Sequence, residues 1–207
     1  MKRRKFIKTG FYGSAFLTYS ALYSHTQFLG QPPIHSRIVI SSDTKIFTDT
    51  NSLHSDKLEA ILDRGMLSFY NVDNIKEAWR KVAKPGEVIG LKVNCLSGLG
   101  STNTELVEII CDKLQQVGIK KNDIVIWDRQ NSDLEDGKYK IRYDNTNIKC
   151  MGNDVLGFEN DFETFGVSAS LVCQTLTRVC DGVINLPVLR DHGIAGVTIA
   201  RCLSLSS

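Results

Sequence analysis

Apolar residues recur at two spacings along this chain, and each spacing predicts a different element. A repeat of three or four residues predicts amphipathic helices that begin near Ser55, Asn74, Thr102 and Ser170. Ser55 and Asn74 are types that cap helices, and Thr102 and Glu105 stand at capping-box spacing. The predicted inward faces are Leu58, Ile61 and Leu62; Ile75, Ala78, Trp79 and Val82; Leu106, Ile110, Leu114 and Val117; and Leu171, Val172, Leu176 and Val179.

Short runs rich in β-branched residues predict the strands. They cover residues 37–41, 88–93, 124–127 and 182–189. The polar tract 131–153 lacks periodicity and predicts a hairpin that ends at 148–150. Because strands alternate with helices, we expect an α/β fold: a mostly parallel sheet with flanking helices in Rossmann-like layers.

Polar residues cluster where the predicted strands end. In open α/β sheets, ligands bind outside the carboxyl ends of the strands, so these residues would converge on one crevice. Each also has an ordinary structural interpretation, as a surface ion pair, an edge charge, a turn residue or a loop histidine. Their shared position favours a site. The candidate ligand-binding residues are Lys92, Asn94, Asp128, Arg129, Asn185, Arg190 and Thr198, and the candidate catalytic residues are Asp191 and His192.

Residue chemistry suggests a role for each part of this crevice. Lys92 and Arg190 would hold negative charge, and Asn94 and Asn185 would orient the ligand. An unperturbed imidazole side chain has a pKa near neutral, so His192 is a candidate acid–base group or metal ligand. A small anionic molecule is the expected ligand.

The loop at 98–102 joins a predicted strand to a predicted helix. Free backbone N–H groups and the positive end of the helix dipole at such a place can bind phosphate or carboxylate. The loop lacks the Gly-Lys-Ser/Thr ending of a Walker A motif and a complete dinucleotide-binding fingerprint. The anion-binding signal is therefore weak.

Charge and cysteine spacing limit the partners. Five of the 25 bases and none of the 23 acids lie in residues 1–30, which leaves 20 bases against 23 acids, a net charge of about −3. Bulk charge thus excludes a nucleic-acid binder. The six cysteines form no Cys-x-x-Cys pair, so the chain has no motif that binds a metal or iron–sulfur cluster. The sequence leaves the identity of any cofactor open. They are Cys95, Cys111, Cys150, Cys173, Cys180 and Cys202.

The first eight residues resemble a twin-arginine translocation signal. Arg3 and Arg4 precede Lys5-Phe6-Ile7-Lys8, and an apolar stretch too short for a confident membrane span follows over residues 9–23. We therefore expect residues 1–30 to be a signal peptide with its exit segment, and residues 31–207 to be one domain. The resemblance implies export to the periplasm or another extracytoplasmic space, with the translocation machinery as partner. A signal that is not cleaved would tether the protein to the membrane.

Three segments carry a further resemblance. Residues 90–95, 126–129 and 184–198 look like the family called domain of unknown function 362, many of whose members have a twin-arginine signal. Some members add four-iron ferredoxin segments, and this chain has none. The family usually has Lys at the position of Arg190, and it continues beyond Thr198 through a Lys-Asn motif. We therefore expect a C-terminally truncated domain whose apolar strand 182–189 belongs in the centre of a sheet.

The expected function is that of an exported protein with a polar crevice, an enzyme acting on a small anionic molecule. Two alternatives stay open. One is a non-catalytic protein that binds a metal or redox cofactor, and the other is a truncated copy without function. The resemblance names no reaction or substrate.

Overall fold

The computed structural model describes residues 37–48, 53–95, 100–165, 168–192 and 196–198. The chain divides into two compact units, Met1–Ile38 and Val39–Ser207, and all elements below belong to the second. The predicted signal peptide and residues 98 and 99 of the glycine loop lie outside the described residues. Within the described part, no helix has the length and apolar character needed to cross a membrane.

Two helices come first in the described chain, and strands and helices then alternate over residues 89–152. The helices are α1 (Ser55–Tyr70), α2 (Ile75–Val82), α3 (Thr104–Gln116) and α4 (Asn131–Asp136). The strands are β1 (Ile89–Lys92), β2 (Ile124–Asp128), β3 (Lys149–Gly152), β4 (Phe158–Phe165), β5 (Ser168–Cys173), β6 (Gly182–Asn185), β7 (Arg190–His192) and β8 (Gly196–Thr198). A 3₁₀ turn covers Lys121–Asp123, and a π-helical turn covers Thr175–Val179.

Four strands form a parallel sheet in the order β3-β2-β1-β6. The register pairs Lys92 with Trp127 on one side and with Asn185 on the other. The predicted α/β fold with a parallel sheet is confirmed. The strand predicted to be central is β6, however, and among the described residues it pairs only with β1 at the edge of this sheet.

The two faces of the sheet are covered differently. On one face, Leu91 and Ile124 pack with residues of α1, α2 and α3 in the larger apolar core. On the other face, Val125 and Trp127 pack against Cys173 and the residues around it in β4, β5 and the π-helical turn. Helices therefore flank one face, and a hairpin with a helical turn covers the other.

Local capping signals were only partly predictive. The Asn74 side chain accepts from the backbone N–H groups of Lys76 and Glu77, which confirms it as the cap of α2. The predicted capping role of Thr102 is wrong, because Asn103 caps α3 through the N–H of Leu106. Ser55 is the first residue of α1 rather than its cap.

Three predicted elements are wrong. Residues 37–41 form no strand, and Ile38 and Ile40 are 80% and 90% exposed, because a β-branched run needs a neighbouring strand to supply its hydrogen bonds. The helix predicted from Ser170 is wrong in its first part, which is β5 paired antiparallel with β4, whereas the π-helical turn Thr175–Val179 keeps Leu176 and Val179 packed inward. The tract 131–153 contains α4 and the parallel strand β3, with a single antiparallel bridge between Arg142 and Cys150 in place of the hairpin.

Candidate functional site

A buried ion pair lies at the carboxyl edge of the sheet, the edge at which its parallel strands end. Lys92 ends β1 and Asp128 ends β2, and Lys92 Nζ donates to Asp128 Oδ1 at 2.7 Å. The two side chains are only 2% and 7% exposed. Lys92 Nζ also donates to the carbonyl of Val93 and lies 5.6 Å from the ring centre of Trp127. The ammonium group therefore has partners within the protein.

The Asp128 carboxylate joins the ends of the two strands. Besides Lys92, it accepts from the backbone N–H of Arg129 at 2.8 Å and from that of Cys95 at 2.7 Å. Both carboxylate oxygens are thus hydrogen-bonded, and the charge of Lys92 is neutralised locally. In this arrangement the pair fixes the backbone around the crevice, whereas the sequence suggested that Lys92 itself would hold an anion.

Arg129 lies further out. Its guanidinium group bonds Asp133 in α4, with Nε 3.0 Å from Oδ2, and its side chain is 39% exposed. The hydrogen bond with Asp133 is the main cause that raises the pKa of Arg129. Arg129 is therefore a permanent positive charge at the rim of the carboxyl edge, partly available to solvent.

Thr102 connects the other side of the crevice. The backbone N–H of Asn94 donates to Thr102 Oγ1 at 2.8 Å, and that hydroxyl donates to the carbonyl of Leu186 at 2.7 Å. The backbone N–H of Leu186 in turn donates to the carbonyl of Lys92 at 2.8 Å. The ends of β1 and β6 are held together, which keeps Asn94, just beyond β1, and Asn185, the last residue of β6, at the same edge.

The strand register places several predicted residues side by side. Side chains directly opposite one another on paired strands share a face of the sheet, so Asn185, Lys92 and Trp127 form a row across β6, β1 and β2. Asn185 is half-buried and Asn94 is 8% exposed. Four predicted residues, Lys92, Asn94, Asp128 and Asn185, thus meet at one edge.

For the last motif, the structure describes the backbone ladder. β7 and β8 pair antiparallel, with Arg190 opposite Thr198, Asp191 opposite Val197 and His192 opposite Gly196. Arg190 and Thr198 are therefore neighbours across this ladder. The participation of Arg190, Asp191, His192 and Thr198 in the crevice stays a prediction.

A buried polar residue at the carboxyl edge, Asn153, was missed by the sequence reasoning. Asn153 follows β3 at the carboxyl edge, is 2% exposed, and donates its backbone N–H to the carbonyl of Asp128 at 2.9 Å. Its Oδ1 accepts from Thr175 Oγ1 at 3.0 Å, while its Nδ2 has no partner among the described residues. The signal was its position after a strand, which the predicted hairpin at 131–153 concealed.

The cysteine nearest the ion pair is a neutral thiol. Burial, with the negative charge of Asp128 as the second cause, raises the pKa of Cys95 to about 12. A protonated thiol is a poor nucleophile and a poor metal ligand. Across the part of the chain that the structure describes, no three His, Cys, Asp or Glu side chains are grouped as a metal site would require.

The segment predicted to bind an anion borders a cavity of about 560 Å³ at the start of α3. Ser101, Thr102 and Asn103 line it, together with the acids Glu105 and Asp136 and the base Lys138. Two acids against one base do not favour an anion, although the N-terminus of α3 does. This part of the loop therefore gives the anion-binding prediction little support.

Comparison with known proteins identifies no relative for this chain. No protein-family model matches it, and neither a curated protein nor a solved structure does.

Proposed function

We propose that this is an exported protein, similar to the domain of unknown function 362 family, that binds a small anionic molecule at the carboxyl edge of its sheet and acts on it as an enzyme. The observation that carries the proposal is the buried pair of Lys92 and Asp128 between two adjacent parallel strands. Removing two charges from water costs several kcal/mol per ion, so a buried pair contributes little net stability. Its position at the edge where α/β sheets bind ligands supports a functional role.

The pair has a positioning role in this proposal. It fixes the ends of β1 and β2, and Asn94 and Asn185 offer amide groups that orient the ligand. Because Asp128 neutralises the charge of Lys92, the positive charge that holds the ligand comes from Arg190, which lies opposite Thr198 in the β7–β8 ladder.

Proton transfer falls to the end of β7. His192, with Asp191 beside it in sequence, is the proposed acid–base group, because imidazole gains and loses a proton near neutral pH. A metal bound by His192 would be the alternative use of the same nitrogen atoms. Replacing His192 with Gln should abolish turnover while ligand binding survives.

A ligand screen tests the crevice. The full chain is heated with a panel of carboxylates, phosphates and sulfonates, and a bound anion at about 100 times its Kd should stabilise the fold by about 2.7 kcal/mol. Asn185→Ala should abolish the stabilisation. Asn122→Ala, in the 3₁₀ turn at the opposite end of β2, is the matched control and should leave it unchanged. Equal stabilisation of all three proteins would contradict the crevice.

Export is tested separately. The resemblance of residues 1–8 to a twin-arginine signal supports transport of the folded protein. With Arg3 and Arg4 both replaced by Lys, a fused reporter should stay in the cytoplasm. Unchanged export of the double variant would remove the translocation assignment without bearing on the crevice.

A further inference from the structure

A second cavity lies on the helical face of the sheet and adjoins the one at the start of α3, with Thr104 and Lys138 lining both. Its volume is about 400 Å³, within the range of small-molecule sites. The floor is apolar and comes from three elements: Val107 and Cys111 of α3, Ile126 of β2, and Cys150 of β3. None of the residues predicted for the crevice lines it.

The cavity exists because the helical layer is incomplete at this point. β2 lies inside the sheet between β1 and β3, and a parallel strand in that position is normally covered on both faces. Four of its five residues are buried, and the exception is Ile126, at the middle of the strand. The connection from β2 to β3 contains only the six-residue helix α4 and an irregular segment. Together with α3, it leaves Ile126 partly uncovered.

Opposite charges line the two walls. The wall formed by residues 138–142 carries Lys138, Lys140 and Arg142, and the wall formed by α3 carries Glu108 and Asp112. Among the described residues, no ion pair joins these bases to these acids, nor do the bases have any other ion-pair partner there. The charged walls are therefore separated by a space that they do not bridge themselves.

The floor offers little hydrogen bonding. Burial raises the pKa of both Cys111 and Cys150 to about 12, so the two thiols are neutral. The hydroxyl group of Tyr139 donates to the carbonyl of Thr102 at 2.8 Å and is committed there. A sugar or nucleotide, which needs many donors and acceptors, does not suit such a floor.

We infer that this cavity binds an apolar α-amino acid. Its carboxylate would face Lys138, Lys140 and Arg142, its ammonium group would face Glu108 and Asp112, and its side chain would cover Ile126. A zwitterion with an apolar side chain matches both charged walls and the floor together, whereas a simple carboxylate offers no positive charge to the two acids. The inference does not depend on the proposed function, because the two sites share no residue.

Three probes of nearly equal shape separate the charges of the ligand. L-Phenylalanine carries both charges, 3-phenylpropionate lacks the ammonium group, and 2-phenylethylamine lacks the carboxylate. Binding to the full chain is followed by NMR titration. L-Phenylalanine should bind, and each analogue should bind about twofold to fivefold more weakly for the partly exposed charge pairs it loses. Failure of L-phenylalanine to bind, or equal binding of 3-phenylpropionate, overturns the inference.

Variants assign each charge to its wall. Glu108→Gln should weaken the binding of L-phenylalanine about twofold to fivefold and leave the binding of 3-phenylpropionate, which has no ammonium group, unchanged. Lys140→Gln should weaken the binding of L-phenylalanine by a similar factor and leave the binding of 2-phenylethylamine, which has no carboxylate, unchanged. Lys121→Gln, an exposed lysine outside the cavity, is the control and should change neither. A general structural effect would weaken all probes equally, and that result also overturns the inference. Ile126→Phe should fill the floor and abolish binding of all three probes, and unchanged binding would place the ligand elsewhere.

Discussion

Two lysines in the part of the chain that the structure describes are buried, and they are buried for different reasons. Lys92 ends β1 and Lys113 lies in α3, and the residues are 2% and 5% exposed. Lys92 meets one carboxylate, Asp128, which is itself buried. Lys113 meets two, Glu59 and Asp63 of α1, at 2.6 Å and 2.7 Å, and their side chains are 47% and 26% exposed.

The surroundings decide what each pair costs. Burial lowers the pKa of Lys113, but the hydrogen bonds and charges of Asp63 and Glu59 outweigh it, and the net shift is upward. Water still reaches Glu59 and part of Asp63, whose Oδ1 is buried without a partner among the described residues, so the ion pairs that join α1 to α3 keep part of their solvation. The Lys92 pair gives up that solvation at the edge of the sheet, so helix packing explains Lys113 and does not explain Lys92.

The largest effect is expected for Lys92→Met. The substitution leaves the Asp128 carboxylate buried without its counter-charge, and breaking a buried pair in this way costs about 3–5 kcal/mol. Urea unfolding measures the loss. Adding Asp128→Asn should recover part of it, because a neutral amide leaves no buried charge and its oxygen can still accept from the N–H of Cys95. A loss below about 1 kcal/mol for the single variant would show that the pair is as solvated as a surface bridge.

Lys113→Met should cost less, about 1–2 kcal/mol. The variant removes two charge-assisted hydrogen bonds, but the acids left behind remain partly hydrated. Methionine can also keep the apolar contacts of the lysine stem. The same urea measurement applies. If this loss equalled that of Lys92→Met, the distinction between the two lysines would fail.

The sequence predicted what local pattern determines. Strands β1 and β2, the apolar faces of α2 and α3, and the cap at Asn74 follow from nearby residues, and the sheet edge followed from where the strands end. Thr102 shows the limit. Its spacing to Glu105 is that of a capping box, yet its hydroxyl bonds Leu186, which lies 84 positions away.

The remaining errors have the same physical origin. A short apolar run such as 168–173 fits both a strand and a helix, and only pairing with β4 decides. The different roles of Lys92 and Lys113 also depend on which carboxylates the fold brings to each lysine, and the spacing of residues in the sequence does not predict those partners. Asn153 became visible only once β3 was placed beside β2.

The pH dependence of the Lys113 clamp gives a smaller effect. Because its pKa is raised in the folded protein, the folded state holds this proton more tightly than the unfolded state. The stabilisation is complete below the unfolded pKa of about 10.4 and is lost as pH rises through the higher folded value. The difference in unfolding free energy between wild type and Lys113→Met should therefore shrink above about pH 10.5. The buried thiols titrate in both proteins and cancel, and a difference that stays constant would contradict the raised pKa.

The smallest effect is expected at a third ion pair, which tests how far exposure to solvent reduces the stabilisation that an ion pair gives the fold. Glu159 of β4 bonds Arg178 of the π-helical turn, with Arg178 Nε 2.9 Å from Glu159 Oε1, and the Arg178 side chain is 58% exposed. The hydrogen bond from Arg178, followed by that from Thr177, lowers the pKa of Glu159 to about 2. The contribution of the pair is therefore present above the ordinary glutamate pKa of about 4.3 and is lost as pH falls through the folded value.

Glu159→Gln should lower the urea midpoint at neutral pH by less than Lys113→Met does, and salt should screen the difference because the pair is exposed. Asp161→Asn, on the same strand and with no ion-pair partner among the described residues, is the control and should leave the midpoint unchanged. A loss for Glu159→Gln that exceeded that of Lys113→Met and persisted in high salt would show that exposure of the partners does not set the order of the three pairs.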